Sequence, residues 1–286
     1  MRRKLSVSER RACRVLGQPR STQRYARQKG KKDRILKERM VVLSRENPRY
    51  GYRRVWALLR REGWLVNKKR LYRLWREEGL KVPDKAQRKR RRLGDTENSC
   101  TRRRATHLNH VWSYDFVMDE TEEGRRLKMM PIVDEYSREC LSIEVERSIT
   151  AEDVVSTLAS LFRRRGAPAF IRSDNGPEFI AKAIKRWLEA SGVGTLYIEP
   201  GSPWENAYSE TFISRFGDEL LKREMFVDLL EAKVLVEDYR GHYNHQRPHS
   251  ALGYQTPAEF AVAADLERKV ENAGKPEELE SILTLS

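Results

Sequence analysis

Near residue 105 the spacing of apolar residues changes from helical to alternating, which divides the chain into two structural regimes. Before the change, "YGYRRVWALLRREGW" (50–64) puts Val55, Leu58 and Leu59 on one helical face, and Gly63 predicts the stop. Asn67 predicts an N-cap for "KKRLYRLWREEG" (68–79), with Leu71, Leu74 and Trp75 turned inward. Further upstream, Ser8 to Leu16 predicts a short helix broken by "GQPR", with Ser21 capping a second one. "KKDRILKERMVVLSREN" (31–47) predicts a linking helix that ends at Pro48. After the change, "HVWSYDFVMDE" (110–120) alternates like a strand. "RRLKMMPIVDEYSRECLSIEVERSI" (125–149) predicts two more, joined by a turn near Tyr136–Arg138. Thr150 with Asp153 predicts a capping box for the helix over 151–166. A short buried strand, "AFIRS", then stops at the turn signal Asn175-Gly176-Pro177; a helix, the strand "GTLYIEP" and a last helix follow. Three strands, helix, strand, helix, strand, helix describe a mixed sheet with helices packed on its faces.

Charge follows the same division. Residues 1–104 hold 36 Lys and Arg against 10 Asp and Glu, and residues 105–286 hold 21 against 32. A basic arm interleaved with Trp, Tyr and Leu at helical spacing points to nucleic acid as its partner. Lys68, Lys69, Arg70 and Arg73 cluster at the start of the helix that begins after Asn67, the end that enters the major groove in a helix-turn-helix. The same residues would also suit the outer face of an ordinary three-helix unit. The run "DKAQRKRRR" (84–92) suits a basic linker across phosphates. Three scattered cysteines and five histidines encode neither a disulfide framework nor a zinc cluster. No apolar run reaches a membrane span, and the basic N-terminus lacks the apolar stretch of a signal peptide, so the expected location is the cytoplasm.

Three carboxylates carry the candidate chemistry. Asp115 lies among aromatics in a predicted strand, and Asp174 follows a buried strand, where open α/β sheets place functional groups. In "SPWENAYSE" (202–210), Ser202, Pro203 and Glu205 form a capping-box pattern, so Glu205 has a structural task. Glu210 lies more than a turn further on, on the face of Asn206, and is available to the sheet. Glu178 suits the start of its own helix, and Asp134 suits a turn.

Asp115, Asp174 and Glu210, the last two separated by 35 residues, resemble the acidic triad of DDE transposases and retroviral integrases. "SDNGPEF", "PGSPWENAYSETF" and "YNHQRPHSALGYQTPAEF" (243–260) resemble insertion-sequence transposases of the two-reading-frame kind, specifically the second-frame product. The resemblance implies a ribonuclease H-like integrase core, a mixed five-stranded sheet with helices on both faces, behind all-α helix-turn-helix units. It implies boundaries at 1–30, 31–83, 84–104, 105–240 and 241–286: two DNA-binding units, a basic linker, the core, and a C-terminal motif with its tail. It also implies two Mg²⁺ ions, replaceable by Mn²⁺, held by the triad as metal ligands and catalytic residues, with DNA, further copies of the chain and the upstream-frame product as partners. Asn206, Arg215 and Arg247 are candidate DNA contacts. Tyr243, Asn244, Arg247 and His249 suit either phosphate binding or locking a C-terminal segment to the core. The activity implied is cleavage and joining of DNA strands. The rivals are a DNA-binding regulator with an inactive core and a ribonuclease H-like nuclease that cuts without joining.

Overall fold

The computed structural model describes residues 7–24, 31–82, 104–173, 178–197 and 207–273. Helix α1 (Glu9–Val15) is capped by the Ser8 hydroxyl, which accepts the Arg11 N–H. The short α2 (Arg20–Arg24) starts one residue before Ser21, which therefore lies inside the helix and does not cap it. Proline at position 19 favours a helix that starts immediately after it. Helices α3 (Lys31–Glu46), α4 (Tyr52–Arg61) and α5 (Lys68–Glu77) form a separate core around Leu36, Met40, Val55, Leu59, Leu71 and Leu74. The Asn67 side chain caps α5 by accepting the Lys69 N–H at 2.8 Å.

The second regime opens with β1 (Val111–Tyr114) and β2 (Val117–Glu120), followed by β3 (Arg126–Asp134) and β4 (Cys140–Glu146). Helix α6 (Ala151–Arg165) carries the full Thr150–Asp153 capping box. Strand β5 (Phe170–Ser173), helix α7 (Glu178–Ala190) and strand β6 (Gly194–Tyr197) complete the sheet. The order is β2-β3-β1-β5-β6, with β4 on the other side of β3. Strands β1, β2 and β4 all run antiparallel to β3, whereas β5 is parallel to β1 and β6 to β5. The six strand segments fill the five positions expected. Both β1 and β2 pair along β3, so they are one strand position interrupted at Asp115 and Phe116.

Both faces of the sheet are covered, and β3 is accordingly buried almost throughout. Trp112, Tyr114, Met130 and Ile132 face α6 and α7, whose Leu158, Leu161, Ile184 and Leu188 complete that core. Leu127, Met129 and Val133 face the opposite way, onto Phe212 and Phe216 of α8 (Ala207–Phe216) and Val236 and Tyr239 of α9 (Leu229–His245). A π-helical turn, Gly217–Leu221, follows α8 directly. Helix α9 continues through residue 240, so the expected division there cuts a helix that belongs wholly to the core. After it come a 3-10 turn (Ser250–Leu252) and α10 (Pro257–Ala273).

One residue near the end of α9 ties that helix to the sheet. The buried Asn244 accepts the Cys140 N–H at 2.9 Å and donates to the Cys140 carbonyl at 2.8 Å, as a neighbouring strand would. Removing it strands the buried Cys140 N–H and leaves the Cys140 carbonyl only the longer bond from Arg240 at 3.3 Å. Asn244→Ala should lower unfolding free energy by about 2–4 kcal/mol in urea denaturation. Glu237→Ala, on the same helix but in an exposed pair with Arg240, should cost under about 1 kcal/mol.

Candidate active site

Asp115 stands at the interruption between β1 and β2, half-buried, with one carboxylate oxygen accepting the Phe116 N–H at 2.8 Å. The strand gives way at this carboxylate, so Asp115 is not mid-strand as its neighbours implied. Trp112 and Tyr114 belong to the face under α6 and α7; the alternate positions Val111 and Ser113 belong to the face under α8, which packs on β1 and β3. Glu210 lies on α8 and is exposed, while Ser209, Phe212 and Phe216 of the same helix are buried. The last pair between the parallel strands β1 and β5 is Ser113 with Arg172. Arg172 is neutralised by the buried Glu135 at 2.9 Å, a pair that no local sequence signal announces. Asp174, Glu205 and Asn206 lie outside the described residues, as does the side chain of Glu178. Asp134 forms a turn: its carboxylate accepts the N–H groups of Asn109, Tyr136 and Ser137. Burial raises its pKa, and these hydrogen bonds oppose the rise.

The basic residues of α5 have different surroundings. Lys69 is exposed. Arg70 donates to Asp33 at 2.9 Å, and Arg73 lies 3.6 Å from the same carboxylate. The Lys68 ammonium sits over the rings of Trp56 at 4.3 Å and Tyr254 at 4.9 Å. Tyr254 and Gly253 both have left-handed backbones, which costs the tyrosine about 1–2 kcal/mol. Its ring meets Trp56 edge-on at 5.7 Å, and its carbonyl accepts a hydrogen bond from Arg61 at 3.3 Å. The "HSALGYQTP" stretch is therefore where α4 and α5 dock on the second regime.

An ionic junction beside this contact changes the role of Arg247. The sequence offered it as a DNA contact, yet it is 1% exposed. Its Nε and Nη2 donate to the two oxygens of Glu219, each at 2.7 Å, and its Nη1 meets His249 Nε2 at 3.1 Å. A guanidinium engaged in this way is a structural tie, with Nε and Nη2 committed to Glu219. Arg54 reaches Glu219 at 3.4 Å, and Arg49 reaches Asp218 at 3.2 Å. Arg215, also offered as a DNA contact, is half-buried nearby, and burial followed by the Arg247 charge lowers its pKa. Burial raises the Glu219 pKa, but the hydrogen bonds and charges of Arg247, then Arg54, more than reverse this, and the net shift is downward. For His249, burial and then Arg247 bring the ring down to about 2, so it is neutral across the physiological range. Glu219 was missed because it lies in an ordinary-looking acidic pair, Asp218-Glu219, far in sequence from every residue it holds.

Models of the "Integrase core domain" match residues 105–203 and 191–257, and one of the "HTH-like domain" matches 31–92. The insertion element IS407 uncharacterized 31.7 kDa protein of Burkholderia multivorans is 42% identical over 262 residues, covering 92% of this chain and 93% of that protein. The chain belongs to the insertion-element transposases with an integrase core. The transposase InsD of insertion element IS2 in Escherichia coli is 32% identical, covering 75% of this chain and 74% of that one. Among solved structures, the HTLV-2 integrase catalytic core domain in complex with magnesium aligns at 16% identity with a TM-score of 0.44, over 55% of this chain and 99% of that one. The chain is thus an enzyme of a DNA-cleaving and strand-transferring family whose integrase cores use divalent metals, with a helix-turn-helix-like unit for DNA. Among the described residues, no helix is long and apolar enough to cross a membrane.

The junction predicts acid sensitivity. A histidine with its folded pKa near 2 and an unfolded value of 6.5 gives stability that is complete above about pH 6.5. That stability is lost as pH falls, by up to about 1.4 kcal/mol per unit. His242, lowered by burial, adds a loss of the same sign, and Glu219 adds its own below its unfolded value of 4.5. Urea midpoints should fall from pH 7.5 to pH 5, and His249→Gln should remove most of that slope.

Proposed function

We propose that this transposase cleaves and joins DNA strands at the ends of a bacterial insertion element, with Asp115, Asp174 and Glu210 as its metal ligands. One observation carries the reading. In the last pair between parallel neighbours, Ser113 faces Arg172, and each aspartate follows its member of that pair by two residues. The Ser113–Arg172 pair has the parity of the face that α8 covers, the helix bearing Glu210, and the two aspartates follow it at equal spacing in the sequence. This is the carboxyl end of adjacent parallel strands, the usual place for a site in an open sheet.

The donor set fits hard divalent ions, since carboxylate oxygens suit Mg²⁺ and Mn²⁺ and the exposed Glu210 can reach an incoming strand. Asp115, Asp174 and Glu210 would hold such ions, which when bound would supply Lewis-acid activation of an attacking oxygen and stabilisation of a leaving one. The chain's own contribution is to hold three acids on rigid elements and to bring DNA across them. Lys69 is best placed for the major groove, with Lys68, Arg70 and Arg73 beside it if DNA displaces their partners within the chain. Asn206 and Arg215, next to or on the Glu210 helix, would hold the strand being cut. Water attacks first and frees a 3′-OH; that hydroxyl then attacks a second phosphodiester without a covalent enzyme intermediate. Pairing two ends requires further copies of the chain on DNA, and the upstream-frame product would join them, in the bacterial cytoplasm. The sequence itself shows no leucine heptad run for self-assembly.

Glu210→Gln should reduce Mg²⁺-dependent cleavage of an element-end oligonucleotide by about a thousandfold or more, with fold and DNA binding kept. Glu205→Ala should cost about 1 kcal/mol of stability and retain most activity. Dead Glu205→Ala protein with active Glu210→Gln protein would reverse the assignment. A labelled substrate that is cut but never joined would favour the simple nuclease.

A further inference from the structure

A cavity of about 220 Å³ opens between α8, the β3–β4 turn, the segment after α9, and α4. Arg54, Arg138, Arg215 and Arg247 line it, together with Thr211 and Ser250. Four guanidinium groups thus converge from four separate parts of the chain. Glu219 pairs with two of them, Arg247 and Arg54. Arg138 reaches over the Tyr208 ring of α8 at 3.6 Å. Arg54 and Arg215 are each lowered in pKa by burial first and by the Arg247 charge next, the signature of cations crowded out of water. Such crowding is relieved by an anion, and planar guanidinium forks match the oxygens of phosphate. The hydroxyls of Thr211 and Ser250 can add neutral donors. At about 30 Å³ for a water molecule, the space admits a phosphate group with part of its sugar.

We propose that this cavity is a phosphate-binding site that takes one backbone phosphodiester of the DNA strand lying along α8. Thr211 follows Glu210 directly, so a phosphate held here lies beside the catalytic helix without touching the metal ligands. Arg54 belongs to the helix-turn-helix-like unit, so the same phosphate also fastens that unit to the core. The site rests on the reading of α8 as the helix of the catalytic glutamate, but its test does not depend on cleavage.

The full-length chain, Arg215→Gln, Arg54→Gln and a control, Lys222→Gln at an exposed site outside the cavity, would be compared in two assays. Thermal unfolding in inorganic phosphate, against chloride at equal ionic strength, should show extra stabilisation of the wild type and control. Both arginine variants should lose it. Binding to a short duplex without divalent metal, followed against salt, should show a slope smaller by about 1 in each arginine variant, with sequence preference unchanged. Should Arg215→Gln fail to fold, Arg54→Gln reports on the same cavity from its opposite wall. Equal phosphate stabilisation of all four proteins would overturn the site. Loss of that stabilisation with an unchanged salt slope would assign the cavity to free phosphate and overturn the DNA assignment. A wild type that cuts no DNA would sink the catalytic reading while leaving both readouts intact.

Discussion

Taking a guanidinium and a carboxylate out of water costs several kcal/mol for each, and their attraction offsets this only with good geometry and further hydrogen bonds. The Arg247–Glu219 pair meets both conditions, through two 2.7 Å bonds, the His249 ring and the additional approach of Arg54. Its position makes it matter beyond its own energy. Glu219 lies in the π-helical turn that ends α8, Arg247 follows α9, and Arg54 is in α4. Helix α8, the C-terminal segment and the helix-turn-helix-like unit therefore meet at a single carboxylate. Around it, Tyr243 packs edge-on against both Phe212 and His249 at 4.8 Å, sealing the pair from water. Losing Glu219 would leave Arg247 buried without its carboxylate, and losing Arg247 would leave Glu219 only the longer Arg54 contact, with a penalty felt in all three parts.

The sheet supplies the second constraint. Burial on both faces fixes register, because a slip of one residue would turn every side chain to the wrong core. The interruption at Asp115 is therefore a local concession. The backbone breaks at Asp115 and Phe116, and β2 resumes pairing with β3 at Val117.

The elements that were legible in the sequence are those whose signals are local. Ser8, Asn67 and the Thr150–Asp153 box each mark a helix start within three residues of the backbone they bond, and the segment 125–149 announces β3 and β4 with the turn between them. The acidic triad is a reading of residue type and spacing, and Asp174 lies outside the described residues. What could not be read depends on distant partners. Asn244 meets Cys140 across 104 residues, and Arg54 meets Glu219 across 165. Arg247 looked like a surface cation because nothing near it in sequence reveals the acid that holds it. The break at Asp115 was hidden for a related reason, since the strand pattern continues on both sides of it.

The docking of α4 and α5 on the core has a geometric consequence. Arg49, Arg54, Arg61 and Lys68 make four separate contacts, with Asp218, Glu219, Glu259 and the Tyr254 ring. Four points fix both separation and orientation, so the folded core, and not the connecting segment, sets how far the DNA-reading helix stands from the carboxylates. Under the proposed function the molecule works as a ruler, with the distance from the sequence read to the bond cut set within one protomer.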